Sequence, residues 1–447
     1  MIKIGVDDTD SRNGGCTTFV ARTLIKNLLQ ERFDIIGFPR LVRLNPNIPW
    51  KTRGNGAISI NVGKGHGKQI KIGNLDKKDV FSYEGDNGDF IDKSDLEKIV
   101  KIVEKTVESL AKFDDENTNP GLVIVKKSIS SQIYEKTVTE VVSRHEIKKL
   151  LKSYDAIYKG YKKSRGLIGA TAAISWESKS DKTYELIAYR ENKKWGKKRF
   201  VDELSVKEMD SRCCSTFDNF DYANEHNRIV PSSPCPILYG IRGNDFNELE
   251  SASKMVKSEP IESWLIFETN QGTDDHLQQK NIIDVKPFES VIVKGMVADI
   301  PQTIKGGHVF FEIRDNEKNT ITCAAYEPTK QFRRIIRNLA IGDQVEVYGG
   351  VRTKPLTINL EKINMINLKK IYKKIENPIC SNCGKHMKSV GTDRGYKCKI
   401  CGKKSNEPIE KEIDRKIETG FYEVPVCARR HLSKPLKRMK ISKNGSD

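Results

Sequence analysis

The chain has 447 residues, 37% of them apolar and 31% charged, and carries a formal net charge of +18. At about 150 residues per domain, that length predicts roughly three domains, with two or four also open, and enough apolar material for several small cores. The charge favours a polyanionic partner, because each neutralised phosphate releases counterions; a membrane is the weaker option, since no run approaches the roughly 20 apolar residues of a span and no basic, apolar leader opens the sequence.

In chain order, a short strand, Ile2 to Val6, runs straight into Asp7-Asp8-Thr9-Asp10-Ser11. A Gly-rich loop ends at Cys16, and Thr17-Thr18 opens a helix with Val20, Leu24, Ile25, Leu28 and Leu29 on one face. Strands are predicted over 35–44 and 57–62, and the Gly-, Lys- and Asp-rich stretch 63–87 reads as a loop insertion. Ser94-Asp95-Leu96-Glu97 has the form of a capping box, starting a helix that carries Ile99, Val103 and Val107. A buried strand at 121–125, a helix over 138–151 and a strand over 170–174 follow. The lysine-rich stretch 191–198 marks a composition shift, so the first domain is taken as 1–194. Residues 195–284 alternate short strands with helical segments, 285–368 are all-β, and 369–447 hold a cysteine module and a basic tail ending Lys437-Arg438-Met439-Lys440. The pattern is that of an α+β multidomain protein without internal repeats.

Of the ten cysteines, four form two Cys-x-x-Cys units, Cys380/Cys383 and Cys398/Cys401. Four thiolates on two knuckle turns, with Gly384 and Gly402 behind them, predict a tetrahedral structural zinc in a reduced, intracellular protein. Two redox-active pairs are the competing reading, but they would be expected beside a βαβ unit. Basic Lys385, Lys388, Arg394, Lys397 and Lys399 around the module suit phosphate contact. The carboxylates Asp7, Asp8 and Asp10 at a strand's C-terminal end are hard oxygen ligands for Mg²⁺. Thr17 and Thr18, at the next helix start, would offer N–H groups and a hydroxyl to a phosphate. Turn capping is the bland alternative, yet three carboxylates within four residues repel one another unless a cation joins them. The all-β block, with a short helix over 332–339 before its last strands, fits an OB-fold that binds single-stranded nucleic acid; a generic small barrel is its alternative.

Weaker signals stay open between chemistry and structure. Lys51, Arg53 and Asn55 in Pro49-Trp50-Lys51-Thr52-Arg53-Gly54-Asn55-Gly56 suit a phosphate or an RNA backbone, with a surface turn nearly as good a reading. Arg165 and Gly166 either approach a nucleotide or merely enter a buried strand. The acidic stretch containing Asp210, Asp218 and Asp221 would hold a small cation or form a solvated surface. Arg429-Arg430-His431 reads as a basic cluster facing RNA.

Taken together these segments resemble the archaeal tRNA(Ile) 2-agmatinylcytidine synthetases. The likeness runs through Gly5 to Ser11 with Cys16-Thr17-Thr18, then Lys51 to Ala57, Arg165 to Ala170, Asp218 to Asp221, Pro234 to Gly243 and Thr269 to Asp274. The paired cysteines and Ala428 to Ser433 complete it; the stretch 63–87 has no place in it. The resemblance implies a kinase-like α/β domain (1–194), a ferredoxin-like domain (195–284), an OB-fold (285–368) and a zinc ribbon with its tail (369–447). It implies a cytoplasmic ligase that joins agmatine to C2 of the wobble cytidine of an isoleucine tRNA with a CAU anticodon. ATP, Mg²⁺ and Zn²⁺ are the implied cofactors, ATP going to AMP and the C2 oxygen being phosphorylated first. Asp7, Asp8, Asp10 and Thr18 are then catalytic, Thr18 matching the family's autophosphorylated threonine. Thr17, Lys51, Arg53, Asn55, Arg165 and Gly166 hold phosphates. Asp210, Asp218 and Asp221 face agmatine, and Lys385, Lys397, Arg429, Arg430 and His431 face tRNA. A non-catalytic tRNA-binding protein and a kinase of another RNA or small molecule are the rivals.

Overall fold

Strand β1 (Ile2–Asp7) is buried as far as Val6 and reaches solvent only at its last residue. The computed structural model describes residues 1–87, 91–178, 181–391 and 394–439, and β1 lies within a mixed sheet of eleven strands. After β1 come α1 (Thr17–Gln30), β2 (Asp34–Ile35), β3 (Arg40–Arg43), β4 (Gly56–Gly63), β5 (Gly65–Leu75) and β6 (Lys78–Asp86). Next are α2 (Lys93–Leu110), β7 (Gly121–Val125), α3 (Gln132–Thr139), α4 (Arg144–Ser153), β8 (Ile157–Gly160), α5 (Gly166–Ser175) and β9 (Thr183–Tyr189). The sheet is completed after α6 (Glu203–Arg212), β10 (Phe220–Asp221) and β11 (His226–Asn227) by β12 (Ile237–Gly243), α7 (Phe246–Met255) and β13 (Ser263–Thr269). Its order is β12-β9-β13-β3-β4-β1-β7-β8, with β2 on β4, β5 on β13 and β6 on β5.

Two-residue alternation sends one strand's side chains into two cores. On β9, Ile187 and Tyr189 join α1, α2 and β1, while Leu186 and Ala188 join α6 and α7. Helices α4 and α5 pack on β7 through Val123, Val125, Ile147, Leu151, Ala170 and Ile174. The lysine-rich stretch 191–198 lies between β9 and α6, and the sheet continues across it, since β9 pairs with both β12 and β13.

Several elements differ from their sequence reading. Residues 170–174 are helical, inside α5; a short apolar run buried all round carries no period that separates strand from helix. The 63–87 stretch is the β5–β6 hairpin, whose glycines masked its strand pattern. The predicted 35–44 strand is split into β2 and β3 by Gly37 and Pro39, and the 138–151 helix into α3 and α4 around 140–143. The cap of α2 is Asp92, which accepts the Asp95 N–H at 2.7 Å, and not Ser94.

Beyond the sheet lie β14 (Leu277–Gln279), β15 (Ser290–Val297), β16 (Gln302–Thr303), β17 (Val309–Arg314), β18 (Thr320–Ala325), α8 (Phe332–Ile336), β19 (Gln344–Thr353) and β20 (Leu356–Asn367). The order β15-β19-β20-β18-β17 closes on itself through Met296↔Arg314 and Val297↔Ile313. With α8 plugging it by Phe332 and Ile336, this is the OB barrel the sequence predicts. A small module over 377–405 holds the four paired cysteines, with Cys380, Met387 and Cys398 forming its buried cluster among the described residues. The chain then returns: Gly420–Glu423 pairs with β20, and Leu432 inserts among Val42, Ala57, Tyr134 and Trp176 beneath the sheet. In the basic tail Lys437 and Arg438 are held internally, and Lys440 lies outside the described residues.

Candidate active site

A cavity of about 880 Å³ opens where β1 ends and α1 and α5 begin. Asp7, Asp8, Asp10, Thr17, Thr18, Lys51, Arg53, Asn55 and Arg165 all line it, although the sequence scatters them over 159 positions. Gly166 stands just behind them as the first residue of α5.

The acidic loop is not evenly neutralised. Asp10 accepts from Thr52 Oγ1 at 3.0 Å and Arg53 Nε at 2.6 Å, and also from Arg53 Nη2. Arg53 in turn donates to Ser233 Oγ at 2.7 Å and to the Gly15 carbonyl at 2.9 Å, tying the loop to its neighbours. Asp8, in the left-handed region at φ 58°, accepts the Asn119 N–H at 3.1 Å. Burial, more than the nearby Asp10 charge, pushes its carboxyl up to about 6. Asp7 is held well above the usual carboxylate range, by burial first and then by the Asp8 charge. Among the described residues Asp7 and Asp8 make no ion pair like that of Asp10 with Arg53, Arg165 and Lys162 acting on Asp8 only as weaker influences, and the two carboxylates suit a hard divalent ion.

Tight packing fixes Asp7. A methyl group on Gly169 would overlap the Asp7 carboxylate, and one on Gly166 would meet both the Asp7 carbonyl and Gly121. Glycines are required here by backbone approach, so α5 lies directly against the end of β1.

Opposite, α1 begins without a side-chain cap: Cys16 makes no such bond, and the N–H groups of Phe19 and Val20 both go to its carbonyl at 3.1 Å. Neither the Thr17 nor the Thr18 amide finds a protein acceptor among the described residues, which leaves a helix N-terminus ready for an anion. The Thr18 hydroxyl sits 3.0 Å from Cys16 Sγ, and the Tyr189 hydroxyl donates to the Thr18 carbonyl at 2.9 Å.

The cavity also gathers groups that the sequence reading missed: Arg43, Glu185, Arg228 and Arg242. Glu185 and Arg242 are cross-strand partners on β9 and β12. Charged residues inside otherwise apolar strands were the available signal. His431 lines the cavity too; its Nδ1 lies 3.0 Å from Gln271 Oε1. The cations around it, Arg43 foremost, and then burial hold the imidazole well below its ordinary value, so it stays neutral near pH 7.

Other predicted residues are not brought in. Asp210, Asp218 and Asp221 do not line the cavity. Asp218 pairs with Arg429, and Asp221, 1% exposed, accepts from the Cys427 N–H at 2.9 Å and from Asn224. Arg430 reaches Asn47 and Glu361. Ion pairing inside the fold thus accounts for Arg429 and Arg430, whereas Lys385 and Lys397 are exposed on the cysteine module.

In that module Cys380, Cys383, Cys398 and Cys401 have sulfurs within 4.8 Å of one another, with Cys380 and Cys401 at 3.5 Å. Tetrahedral Zn–thiolate bonds of about 2.3 Å place sulfurs roughly 3.8 Å apart, so the set fits zinc. Each knuckle repeats one turn: Gly384 N–H to the Cys380 carbonyl at 2.8 Å, and Gly402 N–H to the Cys398 carbonyl at 3.0 Å. Positive φ values of 61° and 74° explain the glycines.

A phosphate-ready carboxylate loop does its work on a large polyanion only if the same chain can grip that polyanion, and here a closed OB barrel and a basic zinc module accompany it. The molecule falls in the class of nucleotide-dependent enzymes that act on RNA. Family models match the TiaS TCKD domain over residues 3–163, the TiaS FLD domain over 164–276, an OB-fold nucleic acid binding domain over 291–366 and the TiaS C-terminal zinc ribbon domain over 377–417. The tRNA(Ile2) 2-agmatinylcytidine synthetase TiaS of Archaeoglobus fulgidus is 41% identical over 443 residues, covering 98% of this chain and 97% of its own. The solved TiaS–tRNA(Ile2)–ATP complex matches with a TM-score of 0.84 at 40% identity, and the TiaS–tRNA(Ile2)–AMPCPP–agmatine complex with 0.81 at 38%, each covering 99% of this chain and 98% of the other. The chain belongs to the tRNA(Ile2) 2-agmatinylcytidine synthetase family.

Proposed function

We propose that this protein joins agmatine to C2 of the wobble cytidine of an isoleucine tRNA with a CAU anticodon, using ATP. The observation that carries it is the pair of unneutralised carboxylates, Asp7 and Asp8, facing the open start of α1 in one cavity. Family membership over the whole chain supplies the substrate: the related solved complexes hold tRNA(Ile2), a nucleotide and agmatine.

A ring carbonyl oxygen is a poor leaving group and phosphate a good one, so phosphorylating the C2 oxygen divides one hard step into two. Phosphoryl transfer asks chiefly for positioning and charge neutralisation. Asp7 and Asp8 hold Mg²⁺ in this scheme, Asp10 keeps Arg53 aligned, and the Thr17–Thr18 amides receive the phosphate tail. Lys51, Asn55, Arg165 and Gly166 complete the nucleotide's surroundings. Agmatine's amine then attacks C2, and phosphate departs with the C2 oxygen. Agmatine's guanidinium calls for a carboxylate; Glu185 and Glu203 line the cavity, whereas Asp210, Asp218 and Asp221 lie outside it. The target base must leave its stack to be reached, and the OB barrel and zinc module, with Lys385 and Lys397, hold the RNA body. On this scheme residues 1–194 and 195–284 form the catalytic part, and 285–368 and 369–447 the RNA-holding part. Among the described residues no helix is long and apolar enough to cross a membrane, and a tRNA substrate is consistent with a cytoplasmic enzyme.

Mass analysis of isoleucine tRNA after incubation with protein, ATP, Mg²⁺ and agmatine tests this directly. A gain equal to agmatine minus water on the wobble nucleotide is expected. An unmodified tRNA, or a stable phosphorylated RNA formed without agmatine, would overturn it in favour of a binding protein or a kinase.

A further inference from the structure

Four groups lining the cavity have no role in the scheme above: Arg43 on β3, Arg242 on β12, Arg228 and His431. Glu185 lies between two guanidiniums and satisfies neither fully. Its Oε2 is 3.9 Å from Arg43 Nη2, and its Oε1 is 3.7 Å from Arg242 Nε. Gln271 Nε2 occupies Oε2 at 2.5 Å. The Nε atoms of both arginines are buried without a hydrogen-bond partner. Gly54 and Gly56 lie flat against Arg43: a methyl on either would come within 3.0 or 3.1 Å of its Nη1. Lys51 adds a fourth cation to Arg43, Arg228 and Arg242, all of which act on His431. Arg53 gives no relief or extra charge, being matched by Asp10.

Buried cations are stable when paired, and unpaired buried N–H donors are costly. We propose that Arg43, Arg228 and Arg242, with His431 as an additional hydrogen-bond partner, form a second anion site that takes a phosphate group without a metal ion. The site is distinct from the Asp7–Asp8 end, where phosphate needs a cation to approach. Guanidinium forks suit the planar edges of phosphate oxygens. Two sources supply that chemistry: the backbone phosphodiester of the nucleotide entering the cavity, and a phosphoryl group in transit from ATP. The choice between them rests on the proposed tRNA reaction; the site itself does not.

His431 is a built-in reporter. Arg43, Arg242, Lys51 and Arg228 depress its basicity, together with burial, so a dianion bound among them moves its titration upward. The experiment uses the full-length zinc-loaded protein in magnesium-free buffer, titrated with inorganic phosphate by calorimetry and by the His431 imidazole resonances. Saturable binding of one phosphate per chain and an upward His431 shift are expected. Arg242→Gln should weaken binding at least tenfold, and Asp8→Asn should leave it unchanged. Arg228→Gln serves as a second variant should Arg242→Gln fail to fold, with the same loss expected. Absence of saturable binding, equal binding by a folded arginine variant, or a stationary His431 signal overturns the site. Displacement of phosphate by an anticodon stem-loop RNA assigns it to the backbone, and displacement by a magnesium-loaded non-hydrolysable ATP analogue assigns it to phosphoryl transit. Displacement by neither overturns its place in the cavity. Agmatine-dependent mass gain on tRNA without phosphate binding sinks this site and leaves the ligase standing; the converse result sinks the ligase alone.

Discussion

Asp8 is charged at neutral pH in a place that resists charge, and this makes its carboxylate both useful and destabilising. Its folded value of about 6 exceeds the ordinary 3.8, so the folded state binds the proton more tightly than the unfolded chain. The sign follows: its ionisation weakens the metal-free fold above pH 6, and the penalty fades as pH falls from about 6 to about 4. A shift of this size corresponds to on the order of 3 kcal/mol. Asp8→Asn keeps the acceptor for the Asn119 N–H and removes the charge. It should therefore raise the melting temperature of the metal-free protein at pH 7, with the gain vanishing near pH 4. Mg²⁺ should stabilise the wild type at pH 7 and not the variant. Under the proposed function the same substitution abolishes product while tRNA affinity holds, measured by gel shift beside the mass assay. Equal loss of binding and product would make the loop structural.

At the scale of elements, α5 shows what one-dimensional reading misses. The segment Arg165-Gly166-Leu167-Ile168-Gly169-Ala170 was legible as special, because two glycines three apart, the first directly after a basic residue, suggest close backbone approach. It was not legible as helix, since burial on every side erases periodicity. The acidic loop, α1, the barrel and the cysteine module were readable, each having a local signature: charge density, a 3.6-residue face, two-residue alternation, paired spacing. Arg43, Glu185 and Arg242 were not, because their meaning comes from strands that pair across distant sequence. Gly169→Ala tests the packing. A methyl overlapping the Asp7 carboxylate should cost about 1–3 kcal/mol of stability and lower turnover at least tenfold. Gly5→Ala, which meets the Ala170 backbone instead, should cost similar stability with a smaller loss of turnover in whatever folds. Parallel melts and kinetics of the two variants separate displacement of Asp7 from general loosening; identical turnover would contradict the role given to Gly169.

The last described segment ties the sheet to the barrel, reaching Asp181 and the core around Leu432 on one side and Lys362 of β20 on the other, and the zinc module stands apart from that arrangement. With a buried hydrophobic cluster of just Cys380, Met387 and Cys398 among the described residues, the module depends on its metal for folding. A chelator should unfold it alone, lowering tRNA affinity while circular dichroism of the barrel and sheet persists. The segment after Glu423 behaves differently. Leu432 is 2% exposed among residues from β3, β4, α3 and α5, burial that contributes about 2 kcal/mol. His431 enters the cavity, and Arg438 and Lys434 both hold Asp181 at 2.7 Å. Arg429 is the hinge of this anchorage: its side chain, 6% exposed, pairs with Asp218 and with Glu423 at 2.6 Å. Removing it strands two partly buried carboxylates, a defect that costs about 3–5 kcal/mol when a buried pair loses one member. Glu423 is already pushed up by burial, with Arg429 the largest opposing influence, so its carboxyl should take up a proton in Arg429→Ala. The variant should melt lower, become cleavable by protease within 424–439, and lose turnover through displaced His431 while retaining its zinc. Lower pH should narrow the gap, because a protonated Glu423 no longer needs the guanidinium. A melt within about 1 kcal/mol of wild type at pH 7 would mean the segment is anchored by Leu432 and the lysine and arginine contacts to Asp181 instead.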